Sequence, residues 1–205
     1  MIRYTTAAGV AHAEQTIEKS RFIAHVSSVN SREEAEAFIA SIRLQYKDAT
    51  HNVPAFVIGE KMQLQWGSDD GEPQGTSGAP IVQMLVKMGL TNICVVVTRY
   101  FGGVKLGTGG LVRAYTSSAK MAVEAAGEKK VKDVVELSFK LDYNLQGKIL
   151  NLEKDLPFDI LSIEYEECLK LRAAMDPDFE TQFTELLSEL TSGKAHIDAR
   201  VEKIE

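Results

Sequence analysis

The segment Gly127-Glu128-Lys129-Lys130-Val131-Lys132-Asp133 holds five charged residues and a single aliphatic side chain. On either side of it the chain shows complete apolar patterns of its own, so this segment reads as a boundary between separately packed bodies. At about 150 residues per domain, a chain of 205 residues accommodates that reading, with one domain over 1–130 and another over 134–205.

Downstream, Val135, Leu137, Phe139 and Leu141 alternate as in a strand, and Leu145, Ile149, Leu152 and Leu156 follow at helical spacing. Ile163 with Tyr165, then Leu169, Leu171 and Ala173, read as two more strands. Asp176 and Pro177 make an N-cap and first-turn pair for a helix whose apolar side is Phe179, Phe183, Leu186, Leu187 and Leu190, and Gly193 ends it. Ala195, Ile197, Ala199 and Val201 alternate with His196, Asp198, Arg200 and Glu202, the pattern of a half-buried strand. Strand, helix, strand, strand, helix, strand is the order of a ferredoxin-like βαββαβ domain.

Upstream, the residues from Ala13 to Val29 suggest early strands with Ile17, Phe22, Ala24 and Val26 on one face. Ser31 and Glu34 form a capping-box pattern, and Ala35, Phe38, Ile39, Ile42 and Tyr46 carry a helix over about 32–47. Val53 to Ile58 reads as a strand in which Pro54 marks an edge or bulge, with Met62 to Trp66 as its hairpin partner. Ile81, Met84, Leu85 and Met88 predict a helix closed by Gly89; Ile93 to Val97 predicts a strand covered on both faces; Leu111, Tyr115, Ala119 and Ala122 predict the buried side of a further helix. The whole is an α+β chain.

Composition bounds the function. With 44% apolar and 25% charged residues the chain is of ordinary globular type. Its longest apolar run, Ile93 to Val97, is far below the roughly 20 residues that cross a bilayer, so no membrane contact is expected. Met1 to Gly9 lacks the apolar core of a secretory signal, which makes the cytoplasm the expected location. The net charge of −6 is uneven: residues 1–130 carry 14 Lys and Arg against 12 Asp and Glu, the remainder 9 against 17. Any nucleic-acid contact is therefore expected in the first domain. Cys94 and Cys168 lack zinc-type spacing and read as reduced core residues.

Chemistry-bearing residues concentrate in Asp69 to Pro80 and Thr98 to Arg113, which hold eight of the 15 glycines, a density beyond what two ordinary turns need. Neither stretch is a P-loop, because Gly107 is followed by Thr108 and Lys105 precedes it; nor is either a dinucleotide fingerprint, because position 112 is Val. No cofactor and no metal site is expected. One reading is an anion or nucleic-acid site in which Arg99, Lys105 and Arg113 converge on amides near Thr108, Gly109 and Gly110 at a helix start. The other is structural: Asp69, Asp70 and Glu72 form a polar turn and pair with Arg99 or Arg113. A cleft lined by His51, Asp70, Glu72, Thr76, Ser77 and Tyr100 is a further possibility. Within it, His51 can act as base for Ser77 or Thr76 with Asp69 or Asp70 as orienter, or the three carboxylates can offer hard oxygen ligands.

Asp70-Gly71-Glu72-Pro73, Gly75-Thr76-Ser77-Gly78 and Pro80, then Val95 to Gly103, then Lys105-Leu106-Gly107, Gly109-Gly110-Leu111 and Arg113-Ala114-Tyr115 strongly resemble the bacterial, two-domain YigZ branch of the IMPACT family. The resemblance covers about residues 1–130, and bacterial members carry a small ferredoxin-like second domain. It implies a first domain like the second domain of ribosomal small-subunit protein five and a second like the last domain of elongation factor G. Both imply a translation-associated regulatory or binding protein whose partner is the ribosome, RNA or a translation factor. Eukaryotic relatives share the first domain and regulate translation by competing for an activator of a stress kinase; that pathway does not pass to a bacterial-type chain by fold likeness. The rival reading is a small enzyme acting on a phosphorylated or carboxylated metabolite in the glycine-rich cleft. Partner identity, oligomeric state and the condition of use are open at this point.

Overall fold

The computed structural model describes residues 2–204. They form two compact units, Tyr4–Lys130 and the remaining described residues, Ile2 and Arg3 together with 131–204. Each unit is a mixed α+β layer structure.

The first unit is built on a five-stranded antiparallel-paired sheet of β2 (Ala11–Ile17), β3 (Ser20–Ser28), β4 (His51–Ile58), β5 (Leu64–Gly67) and β6 (Ile93–Tyr100), in the order β2-β3-β6-β4-β5. A further strand, β1 (Ile2–Ala7), precedes them, and Thr5 in it forms a parallel bridge with Leu90. Helices α2 (Gly78–Lys87) and α3 (Gly107–Ala126) cover one face, with Phe22, Val95, Val97, Ile81 and Tyr115 in their core; α1 (Arg32–Gln45) covers the other over Phe56, Cys94 and Val96. Period-two alternation therefore sorts the central strand: Val95, Val97 and Arg99 point towards α2 and α3, Cys94, Val96 and Tyr100 towards α1.

Local chemistry explains the element ends. Ser31 Oγ accepts from Glu34 N at 3.2 Å as a capping box requires, and the returning Glu34 carboxylate accepts from Asn30 N at 2.7 Å, one residue earlier than the ideal box. Beyond α2, Gly89 takes φ +72, and its amide and that of Leu90 bond Val86 O and Leu85 O. Pro54 lies inside β4, not at an edge of the sheet. Its carbonyl accepts from Ser68 N on the β5 side, so its missing N–H also faces that side, just past the short β5 ladder, and no bond to β6 is lost.

The second unit contains β7 (Glu128–Leu141), α4 (Gln146–Asp155), β8 (Phe158–Tyr165), β9 (Leu169–Met175), α5 (Glu180–Leu190) and β10 (His196–Ile204). The order β10-β7-β9-β8, antiparallel at every step, is the predicted ferredoxin-like arrangement, with β1 also neighbouring β7. Phe139, Leu171, Phe158, Phe183 and Leu187 fill its core.

Three expectations need correction here. The strand read from Val135 begins earlier, since β7 starts at Glu128 and runs through the boundary segment; exposed charges flank the one buried residue there, Val131, and conceal the strand. Asp176 does not cap the helix with its side chain, which accepts instead from Lys132 Nζ at 2.7 Å, and a 3-10 turn over Pro177–Phe179 precedes α5. Finally, β10 is not half-buried, since each of its residues is exposed, and a bulge between Ile197 and Ala199 breaks its alternation. Ile197, 39% exposed, pairs with core-facing Phe139, whereas Val201, 47% exposed, pairs with Glu136 on the opposite face.

Candidate functional site

The Asp69–Pro80 loop is held by its own acids. Asp69 Oδ1 accepts from Ser77 N at 3.0 Å, Ser77 Oγ at 2.7 Å and Gly78 N at 2.9 Å, while Oδ2 accepts from Gly75 N at 2.7 Å. Burial pushes this carboxyl up, but those amide and hydroxyl donors outweigh it and leave Asp69 below the usual carboxylate range. Thr76 Oγ1 donates to Pro73 O at 2.6 Å. The proposed base–nucleophile chain is thus absent: both hydroxyls are spent inside the loop, and His51 Nδ1 meets the backbone carbonyl of Asp70 at 2.7 Å, not a carboxylate. The close packing needs glycine at position 78, where a Cβ would sit 2.6 Å from Ser68 N.

The three carboxylates do not converge on one ligand position. Asp70, at φ +48, accepts from Asn52 N at 2.6 Å and Arg43 Nη2 at 2.9 Å. Glu72 Oε1 accepts from Arg99 Nη1 at 2.6 Å and from Tyr115 Oη at 2.7 Å, and His51 Nε2 stands 3.8 Å away. The Glu72 and Arg99 side chains are 4% and 5% exposed. Arg99 Nη2 also donates to Ser20 Oγ at 3.2 Å, and its guanidinium lies between the rings of Phe22 and Phe101, 5.4 and 5.3 Å from their centroids. Burial, followed by the Glu72 carboxylate, drives the Tyr115 hydroxyl well above its ordinary value.

Of the predicted basic trio, Arg99 is held in its ion pair and does not join the groove that Lys105 and Arg113 line, so the three do not converge on one position. The other two stay exposed, and among the described residues neither pairs with a carboxylate. Both line a groove of about 510 Å³ with Leu106 and Gly110. The helix α3 begins at Gly107, so Thr108, Gly109 and Gly110 form its first turn; no side chain caps it and no acid lies there. A Cβ on Gly109 would stand 3.6 Å from Arg113 Nη1, which puts this guanidinium over the turn whose amides are free of intrahelical partners.

A neighbouring cleft of about 450 Å³ brings together His51, Glu72, Arg99, Lys105 and Thr108. Asp70, Thr76, Ser77 and Tyr100 are not among its lining residues. Tyr100 points to the α1 side and donates to Asp48 Oδ1 at 3.0 Å. Tyr115, which its spacing places in the core, is buried and also reaches Glu72, and Phe101 and Thr50 line the cleft beside the expected residues. A tyrosine on an apolar helix face carries no sign of its hydroxyl's partner, whereas Phe101 lies in the second glycine-rich stretch, directly after Arg99 and Tyr100. Cys94 holds no reactivity, since burial pushes its thiol up to about 12.

The chain matches the model of the Impact N-terminal domain over residues 18–123 and that of a domain of unknown function, DUF1949, over residues 139–194. It is 42% identical over 196 residues to the IMPACT family member YvyE of Bacillus subtilis, covering 95% of this chain and 89% of that protein. To the IMPACT family member YigZ of Escherichia coli it is 34% identical over 186 residues, covering 89% and 91%. A crystal structure described as that of a hypothetical protein is 31% identical, covers 95% of both chains and superposes with a TM-score of 0.60.

Proposed function

This chain belongs to the IMPACT family, and from that premise we propose that it is a translation-associated binding protein whose contact surface is the start of α3. One observation carries the choice of surface: Lys105 and Arg113, both without acidic partners among the described residues, line one groove against an uncapped first turn free of acids, where they outnumber the single acid of the lining, Glu18. Two cations and a row of free amides suit the phosphates of an RNA backbone, contacts that give affinity without reading sequence. The slight positive balance of residues 1–130 supports the same side of the chain, while the acidic remainder disfavours phosphate contact. The partner is then the ribosome, RNA or a translation factor with RNA bound, met in the cytoplasm. Sedimentation of tagged protein in a ribosome gradient tests this. Co-sedimentation with a ribosomal fraction, lost on raising salt or on joint Lys105→Ala and Arg113→Ala substitution, is expected; protein that stays at the top of the gradient at low salt refutes it.

A further inference from the structure

The cleft that contains His51 is separate from the Arg113 groove, sharing Lys105 and Leu106 with it, and translation contacts leave it unused. We propose that it binds a small organic oxyanion, a carboxylate or phosphate ester on an apolar body, that presents a hydrogen-bond donor to His51. A carbonyl oxygen only accepts, so the 2.7 Å contact between His51 Nδ1 and Asp70 O places the ring hydrogen on Nδ1. In the neutral form of this tautomer Nε2 is a bare acceptor, turned towards Glu72 and the cleft. Its nearest charged neighbour, Glu72 Oε1 at 3.8 Å, is an acceptor already engaged by Arg99 and Tyr115 and has no hydrogen to give. His51 is mostly enclosed, with 19% of its side chain exposed, and among the described residues no donor reaches its Nε2.

A second, independent observation concerns Arg99, which lines the cleft, is 4% exposed, and has no hydrogen-bond partner for its Nε among the described residues. A buried polar atom without a partner is rare and calls for an explanation, and a ligand in the cleft supplies one. At the other end Lys105 and the amides of Gly107 and Thr108 suit an oxyanion, and Phe101, Leu106 and Leu111 supply the apolar wall between. A volume of about 450 Å³ is within the range of small-molecule sites. The pattern of anion subsite, apolar span and acceptor is what selects this ligand class over a bare ion.

The test is an amide and imidazole NMR titration of the full chain with phenyl phosphate, 3-phenylpropionate, 3-(4-hydroxyphenyl)propionate and inorganic phosphate. The organic probes are expected to give saturable shifts at Gly107, Thr108 and the His51 ring, with inorganic phosphate about tenfold weaker and 3-(4-hydroxyphenyl)propionate tighter than 3-phenylpropionate because only it offers a donor at the end of the apolar body away from its carboxylate. Lys105→Ala, whose spectrum reports its own fold, is expected to weaken the organic probes about tenfold, and Arg113→Ala to leave them unchanged. No saturable shift from any organic probe, or equal binding of inorganic phosphate, would overturn the proposal. Loss of binding in Arg113→Ala would move the site to the neighbouring groove and overturn it as well. 3-(4-Hydroxyphenyl)propionate no tighter than 3-phenylpropionate would overturn the assignment of His51 as the acceptor for the ligand.

Discussion

Arg99 Nη1 and Glu72 Oε1 meet at 2.6 Å with both side chains almost wholly out of solvent, joining the end of the central strand to the first glycine-rich loop. Removing one partner leaves a charge without compensation inside the protein. Glu72→Ala or Arg99→Ala is expected to cost about 3–5 kcal/mol in urea unfolding, whereas the apolar pair Arg99→Met with Glu72→Leu costs less than either. A double variant as unstable as the sum of the singles would contradict this reading of the pair.

Asp69 gives the loop its acid sensitivity. Its folded value is depressed, so its contribution is full above the ordinary carboxylate range near about 4 and disappears as pH falls through the folded value. Unfolding followed from about pH 6 down to about pH 2 should show an acid limb that is shallower in Asp69→Asn. At neutral pH the loss of the carboxylate, which accepts four bonds, is expected to cost about 3 kcal/mol.

The bulge in β10 makes a prediction that plain alternation reverses. Val201 shares a face with Glu136 and is 47% exposed, so Val201→Ser should change stability by less than about 0.5 kcal/mol. Ile197→Ser, opposite core-facing Phe139 but itself 39% exposed, should lower the melting temperature slightly more. Equal effects from the two would contradict the register.

Separate expression of residues 1–130 and 131–205 should yield two pieces that each unfold cooperatively, because each apolar cluster closes within its own stretch. A broad, non-cooperative melt from both pieces would contradict two independent domains.

Which features were readable follows from how they are encoded. Helix α1 and the βαββαβ order rest on repeated apolar spacing, and Ala35, Ile39 and Ile42 are buried as that spacing requires. The start of β7 rests on Val131 alone among charges, too few residues to mark a period. One bulge residue in β10 reverses a face that strict alternation states clearly, because alternation has no means of registering an extra residue. In the site, the sequence allowed both a paired and a ligand-binding role for the arginines, and the structure divides them: strand position buries Arg99 against Glu72, and helix position leaves Arg113 over the first turn of α3. Tyr100 lies outside the cleft because Arg99 faces it, and adjacent strand residues cannot share a face.

The most direct measurement of the central claim is the affinity of a single-stranded RNA for the full chain at several salt concentrations, compared across Lys105→Ala, Arg113→Ala and Arg99→Ala, with melting temperatures measured alongside. Lys105→Ala and Arg113→Ala should each weaken binding, reduce the log–log salt slope by about 0.7 and leave melting nearly unchanged. Arg99→Ala should lower melting, and in the folded fraction keep the wild-type slope. An unchanged affinity and slope in both Lys105→Ala and Arg113→Ala would contradict the assignment of the α3 start as the contact surface.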